Sequence, residues 1–156
     1  MAPDQLVHRL DEIFGAFDGL AEKHGVEKIK TIGDAYMAAA GVPEAVDDHA
    51  DRVLELGSAM LEALHRVDPD AVPFRIRIGV HTGPVVAGLL GRHRFVYDVW
   101  GETVNIASRL EGHCRPGQMQ ISGTTRHALT KDWPLKSLGQ VDLKGVGNIS
   151  AYVITG

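Results

Sequence analysis

Glu27-Lys28-Ile29-Lys30-Thr31-Ile32-Gly33-Asp34-Ala35-Tyr36-Met37-Ala38 decides how the rest of the chain is read. Lys28 and Lys30 alternate with Ile29 and the Thr31-Ile32 pair, which is the period of a strand. Gly33-Asp34 falls at the bend, and a Gly-Asp pair between two such runs signals a hairpin. Asp is at home in turns because its carboxylate bonds to nearby backbone. It is also a hard oxygen ligand set beside a strand lysine, Lys30. From this stretch alone the two readings stand level.

Working outward, the residues before the hairpin predict a helix. Leu6, Leu10, Ile13, Phe14, Phe17 and Leu20 recur at three- and four-residue steps, Asp4 lies near the N-cap, and His24-Gly25 closes the helix. After the hairpin, Gly41-Val42-Pro43 breaks the strand, and a second helix is expected from Ala45 to Val67. Its stripe is Ala50, Val53, Leu54, Met60, Leu61 and Leu64, with Gly57 in a stripe position that implies close packing on another element. His49 and His65 read as surface or boundary groups, and Asp68-Pro69-Asp70 as a loop.

Phe74 to Gly83 alternates strictly and predicts a strand with Ile76, Ile78 and Val80 on one face and Arg75, Arg77 and His81 near the other. Val85–Gly91 and Phe95–Trp100, reversed through Gly91-Arg92-His93-Arg94, predict a long hairpin. Leu89, Leu90, Phe95 and Tyr97 make it an apolar arm, suited to a partner surface unless it folds back over its own sheet. Thr103 to Gly112 predicts a helix with Val104, Ala107 and Leu110 on one side. Asn105 and Arg109 emerge together one turn apart, able to clamp an anion and a hydroxyl, although a solvated Arg is the commoner case. Gln118–Ser122, a short helix from Thr124 to Leu129, and two closing strands around the turn Lys144-Gly145-Val146-Gly147 complete the order. Lys144 before that turn can reach a phosphate, a weak signal alone.

The 156 residues suffice for one domain with a real core, and 44% apolar with 23% charged residues is ordinary for a folded soluble protein. The net charge of -4 offers no positive field for nucleic acid. No apolar run reaches the roughly 18 residues of a membrane span, and no signal peptide is visible, so a cytoplasmic location is expected. Cys114 is the one cysteine, which excludes an intrachain disulfide and a thiolate metal cluster, and it reads as structural. No repeat or linker divides the chain, and the alternating elements suggest a mixed sheet with helices packed on one side.

Asp34, Lys30, Asp98, Asn105 and Arg109 are the candidate functional groups. Carboxylates with Arg and Lys fit a polyphosphate carried by a hard divalent ion, the carboxylate holding metal and the cations neutralising phosphate charge. The P-loop pattern GxxxxGK[ST], the dinucleotide pattern GxGxxG, HExxH and GxSxG are all missing, which sets those enzyme classes aside.

The whole chain from about Asp4 onward resembles the catalytic domain of the class III nucleotidyl cyclases, the adenylate/guanylate cyclase family. The matching stretches are Glu27–Met37, Gly79-Val80-His81-Thr82-Gly83-Pro84-Val85-Val86-Ala87-Gly88, and Tyr97-Asp98-Val99-Trp100-Gly101-Glu102-Thr103-Val104-Asn105-Ile106-Ala107-Ser108-Arg109. It looks most similar to bacterial, particularly actinobacterial, members. The resemblance implies an α+β, ferredoxin-like (βαββαβ-type) fold with a mixed sheet and helices on one face. It implies a lyase that converts ATP to 3′,5′-cyclic AMP and pyrophosphate, with two Mg2+ or Mn2+ ions. It implies that Asp34 binds metal, that Lys30 and Asp98 read the adenine edge, and that Lys144 binds the terminal phosphates. Asn105 would position the ribose and Arg109 would stabilise charge on the transferring phosphorus. The family works as a head-to-tail homodimer, so Asp34 of one subunit would meet Lys30, Asp98, Asn105, Arg109 and Lys144 of the other, with the Leu89–Tyr97 arm wrapping the partner. A membrane would be reached only through upstream segments.

The chain departs from this pattern at its front. Family domains begin with a strand bearing another metal aspartate; here the first element is the following helix, and Asp4 and Asp11 are helical by pattern. Residues 1–156 are therefore expected to be a single truncated catalytic domain, inactive or weak alone, with a groove or sheet edge repaired by rearrangement or by a swapped strand. The competing readings are a non-catalytic cyclase-like nucleotide-binding domain, a structural dimerisation domain, and a ferredoxin-like nucleic-acid binder, which the charge disfavours.

Overall fold

The computed structural model describes residues 2–67, 75–92 and 96–155, and the side chains of 65–67 and 96 are outside this description. The first helix, α1 (Pro3–Lys23), starts with Pro at its first position, where a missing N–H costs nothing. Asp4 falls inside the first turn and Ala2 takes the N-cap position assigned from the sequence to the neighbourhood of Asp4. Full burial in α1 is confined to Ile13, Phe17 and Ala21 in its second half; Leu6, counted in the stripe, is exposed.

The hairpin forms as expected. Strand β1 (Glu27–Ile32) pairs antiparallel with β2 (Ala35–Ala39), and Gly33 at φ 59° provides the left-handed residue of the turn. The second helix, α2 (His49–Val67), begins four residues later than Ala45. The strand expected from Phe74 to Gly83 shrinks to β3 (Ile78–Val80). Among the described residues it has one pairing partner, the parallel β6 (Met119–Ser122), and Ile76 is instead held by a bond from the Gly117 N–H to its carbonyl. Alternation reports which faces are wet, not how far a partner strand reaches. Phe74, Asp68-Pro69-Asp70, His93, Arg94 and Phe95 lie outside the described residues.

Next come β4 (Val86–Leu90) and β5 (Val96–Trp100), the arm, then α3 (Glu102–His113), α4 (Gly123–Ala128), β7 (Leu135–Leu143) and β8 (Gly147–Ile154). Ser122 caps α4 by accepting from the Thr125 N–H. The hydrogen-bonded sheets are β3-β6-β8-β7, with β3 and β6 parallel and the other pairs antiparallel, and two separate ribbons, β1-β2 and β4-β5.

Side-chain alternation on the four-stranded sheet sorts the helices. Val80, Met119, Ile121, Tyr152 and Ile154 pack with Leu54 of α2 and Leu129 after α4. Val141, Leu143, Ala151 and Ile149 pack with Leu110 of α3. The expected one-sided packing thus describes α2 and α4, while α3 lies across the opposite face. Its approach needs Gly79, because a Cβ there would stand 2.2 Å from the Glu111 backbone nitrogen and 2.5 Å from the Ala107 carbonyl oxygen. Gly57 performs the same service on α2, where a Cβ would meet Met119 Sδ at 2.6 Å; this is the close packing its stripe position implied. The arm divides its two strands: Asp98 and Val99 of β5 are buried, while Val86, Leu89 and Leu90 of β4 are exposed. Cys114 is buried and donates to the Gln118 carbonyl at 3.1 Å; burial pushes its thiol pKa up, so it is structural.

Candidate active site

Lys30 lies mid-way along β1 and Asp98 at the centre of β5, 68 positions apart in sequence. The fold brings their side chains together, Lys30 Nζ donating to Asp98 Oδ2 at 2.9 Å. The other oxygen, Oδ1, accepts from the Val99 N–H at 2.7 Å. Asp98 is 7% exposed, and its carboxyl is held below the usual carboxylate range by the Lys30 bond first and the Val99 amide second, against the opposing effect of burial. A fixed donor and a fixed acceptor therefore sit side by side.

A register shift aims Lys30. The pairing of β1 with β2 slips between Lys28 and Lys30, so Ile29 is the extra residue of a β-bulge. Lys28 and Lys30, two apart, would otherwise share a face. Instead Lys28 goes to Asp18 on α1 and Lys30 to Asp98 on β5.

Asp34 is exposed in the turn after β1, Asn105 and Arg109 are exposed one turn apart on α3, and Lys144 is exposed in the turn after β7. None of the four side chains makes a hydrogen bond or ion pair among the described residues. The expected pairing of Asn105 and Arg109 on one helix face is present, next to the buried Leu110 that anchors α3. The structure thus joins Lys30 to Asp98 within one subunit and leaves Asp34, Asn105, Arg109 and Lys144 open to solvent.

No three His, Cys, Asp or Glu side chains among the described residues converge as a metal cluster. Asp34 fits a hard ion as a single carboxylate whose remaining ligands come from water and phosphate, the usual manner of Mg2+.

Three groups of residues were missed in the sequence. Asp18 accepts from Tyr36 and Lys28. The buried Asp51 accepts from Thr130 N and Oγ1, Lys131 N and Trp133 Nε1. His81 Nδ1, Ser122 Oγ, Thr125 Oγ1 and Thr82 Oγ1 form a chain with links of 2.7, 3.2 and 2.9 Å. Each joins residues distant in sequence. Only Asp51 carried a local hint, an acid three residues before the fully buried Leu54.

Residues 1–156 match the family described as the adenylate and guanylate cyclase catalytic domain. An adenylate cyclase of Mycobacterium tuberculosis is 40% identical over 156 residues, covering 99% of this chain and 35% of that protein. The guanylate cyclase soluble subunit beta-2 of Rattus norvegicus is 39% identical over 155 residues, covering 97% of this chain and 23% of that protein. The solved guanylate cyclase domain of RhGC from Catenaria anguillulae, in complex with GTP, superposes with a TM-score of 0.87 at 31% identity, covering 100% of this chain and 86% of that one. The chain belongs to the class III nucleotidyl cyclase catalytic domain family, and its α+β fold is that of the family's solved domains. It spans about a third of the length of the mycobacterial relatives it matches.

Proposed function

We propose that the chain is the catalytic domain of an adenylate cyclase. The observation that carries this is the 2.9 Å pair of Lys30 and Asp98. Adenine presents a ring acceptor, N1, beside an amino donor, N6. Guanine presents a carbonyl acceptor and an N–H donor in the reverse order. With lysine facing N1 and the carboxylate facing N6, the places the family resemblance gives Lys30 and Asp98, the pair complements adenine; in the opposite order it would complement guanine. Relatives are named for both activities, so the choice of ATP over GTP rests on this pair.

The remaining roles belong to the same reading. Arg109 neutralises charge that builds on the α-phosphorus as the ribose 3′ oxygen attacks and pyrophosphate departs. Asn105 orients the ribose, and Lys144 holds the terminal phosphates. Asp34 supplies one carboxylate to Mg2+ or Mn2+, which when bound would polarise phosphate oxygens and promote loss of the hydroxyl proton. Asp34, Asn105, Arg109 and Lys144 are all exposed and unpartnered among the described residues, which suits a site completed by a second subunit in head-to-tail arrangement. We take residues 1–156 as one domain, since α2 lines two of its three cores and β8 joins the second to the third. No helix among the described residues is long and apolar enough to cross a membrane, and a cytoplasmic site of action is part of this proposal.

Only Asp34 matches a family metal aspartate, so residues 1–156 alone are expected to turn over weakly. The test measures cyclic AMP from ATP and cyclic GMP from GTP with Mn2+, for residues 1–156 and for a chain engineered with a strand bearing the second aspartate. Cyclic AMP from the engineered chain, lost in Lys30→Ala and Asp98→Ala, supports the reading. Cyclic GMP in its place overturns the base assignment. Nucleotide binding without turnover in either chain leaves the non-catalytic nucleotide-binding domain.

A further inference from the structure

The β1-β2 hairpin carries Lys30 on a strand and Asp34 in its turn, yet among the described residues it is hydrogen-bonded as a strand only to itself. Two strands alone are marginal in water, so side chains must hold the ribbon in place. The Lys30–Asp98 bond is one tie. The other is Asp18 on α1. It accepts from the Tyr36 hydroxyl at 2.7 Å, and Lys28 Nζ lies 3.2 and 3.3 Å from its two oxygens. Lys28 Nζ also lies 5.7 Å from the centre of the Tyr36 ring. The ring itself packs against Phe14 and Phe17 of α1, with centroids 5.6 and 5.7 Å away.

The placement of these residues matters. Tyr36 stands two residues after Asp34 and opposite Thr31, the neighbour of Lys30. Lys28 stands on the other side of the Ile29 bulge. The Asp18 carboxylate therefore grips both strands of the hairpin, one residue on each side of the segment that displays Lys30 and Asp34.

We propose that Asp18 is a positioning residue: through Tyr36 and Lys28 it fixes the turn that presents Asp34 and the strand that aims Lys30, so that the placement of α1 sets the metal and base subsites. This rests on the assignment of Lys30, Asp98 and Asp34 made above.

The test is Mn2+-dependent ATP binding by the chain, titrated in metal at a temperature where every variant is folded, alongside melting curves. In Asp18→Asn the Mn2+ concentration for half-maximal binding rises about tenfold, the size of effect typical of groups that orient a metal ligand. Asp18→Glu, which keeps the charge and the acceptor, recovers part of it. Tyr36→Phe shifts it in the same direction. If Asp18→Asn only lowers the melting temperature and binds Mn2+ and ATP with wild-type midpoints, Asp18 is a packing residue and the proposal is overturned. Asp34→Ala and Lys30→Ala separate the two levels. If they lose binding and Asp18→Asn does not, the positioning role alone falls. If they bind like wild type, or the wild-type chain binds nothing, the site assignment falls and takes this proposal with it.

Discussion

Asp51 is 1% exposed, and burial alone would raise its pKa. The bonds it accepts from Thr130, Trp133 and the Lys131 amide outweigh that and bring it down to about 2. The folded pKa lies below the ordinary value, so the unfolded chain binds the proton more readily in between. The stabilisation from this carboxylate is fully present above about pH 4 and is lost as pH falls through about 2. Asp51→Ala strands two amides and an indole N–H and is expected to cost about 3 kcal/mol at neutral pH. Urea unfolding at pH 7 and pH 2.5 measures it: the gap between wild type and variant narrows at the lower pH. A gap that stays constant would mean that Asp51 is not the titrating group. At this scale the sequence is legible only where a motif repeats across proteins. Lys30 and Asp98 were candidates by residue type, but their pairing came through resemblance, and the structure brings them into contact. Asp51 and its partners, 79 to 82 positions apart, form no local pattern, and an acid near the start of a helix reads as solvated surface.

The hairpin was legible as an element because its period and its turn residues agree, and agreement between levels is what specifies a structure. The α3 helix was legible too, but not its side of the sheet. That depends on Gly79 meeting the backbone of Glu111 and Ala107, a contact between elements rather than a property of either. The same contact yields a prediction. In Gly79→Ala the methyl group meets backbone that cannot rotate away, so α3 must lift from β3, carrying Asn105 and Arg109 with it. Overpacking of this kind is expected to cost about 3 kcal/mol, with nucleotide binding weakened in the fraction that remains folded. Gly57→Ala meets the end of the Met119 side chain, which can swing, and is expected to cost about 1 kcal/mol or less. Chemical denaturation of the two variants compares them directly. Equal losses would show that the α3 contact is more yielding than its geometry implies.

For the molecule as a whole, the arm is the part whose residues and purpose diverge most within a single chain. Strand β5 is packed inward, with Asp98 and Val99 buried, but β4 leaves Val86 68%, Leu89 65% and Leu90 50% exposed. Leu89 and Leu90 are successive strand residues on opposite faces, so no simple rotation of the ribbon hides both. Ile32, beside the Gly33-Asp34 turn, is 63% exposed as well. A ribbon apolar on both faces suits the composite site proposed above, in which a second subunit covers the arm. Replacing Leu89 by Asp places a charge at a position that is open in the single chain. Its effect on folding stability is therefore expected to stay within about 0.5 kcal/mol. Its effect on self-association is expected to be large, about a hundredfold in the dimer dissociation constant, as for a well-packed interface anchor. Sedimentation of the wild type and Leu89→Asp over a range of concentrations reads this out, with melting curves as the control. A variant that melts normally but sediments as a monomer where the wild type is dimeric places the interface on the arm. If both chains sediment alike, the exposed face of β4 does not hold a second copy, and the open side chains of Asp34, Asn105, Arg109 and Lys144 cannot be explained by a composite site built through it.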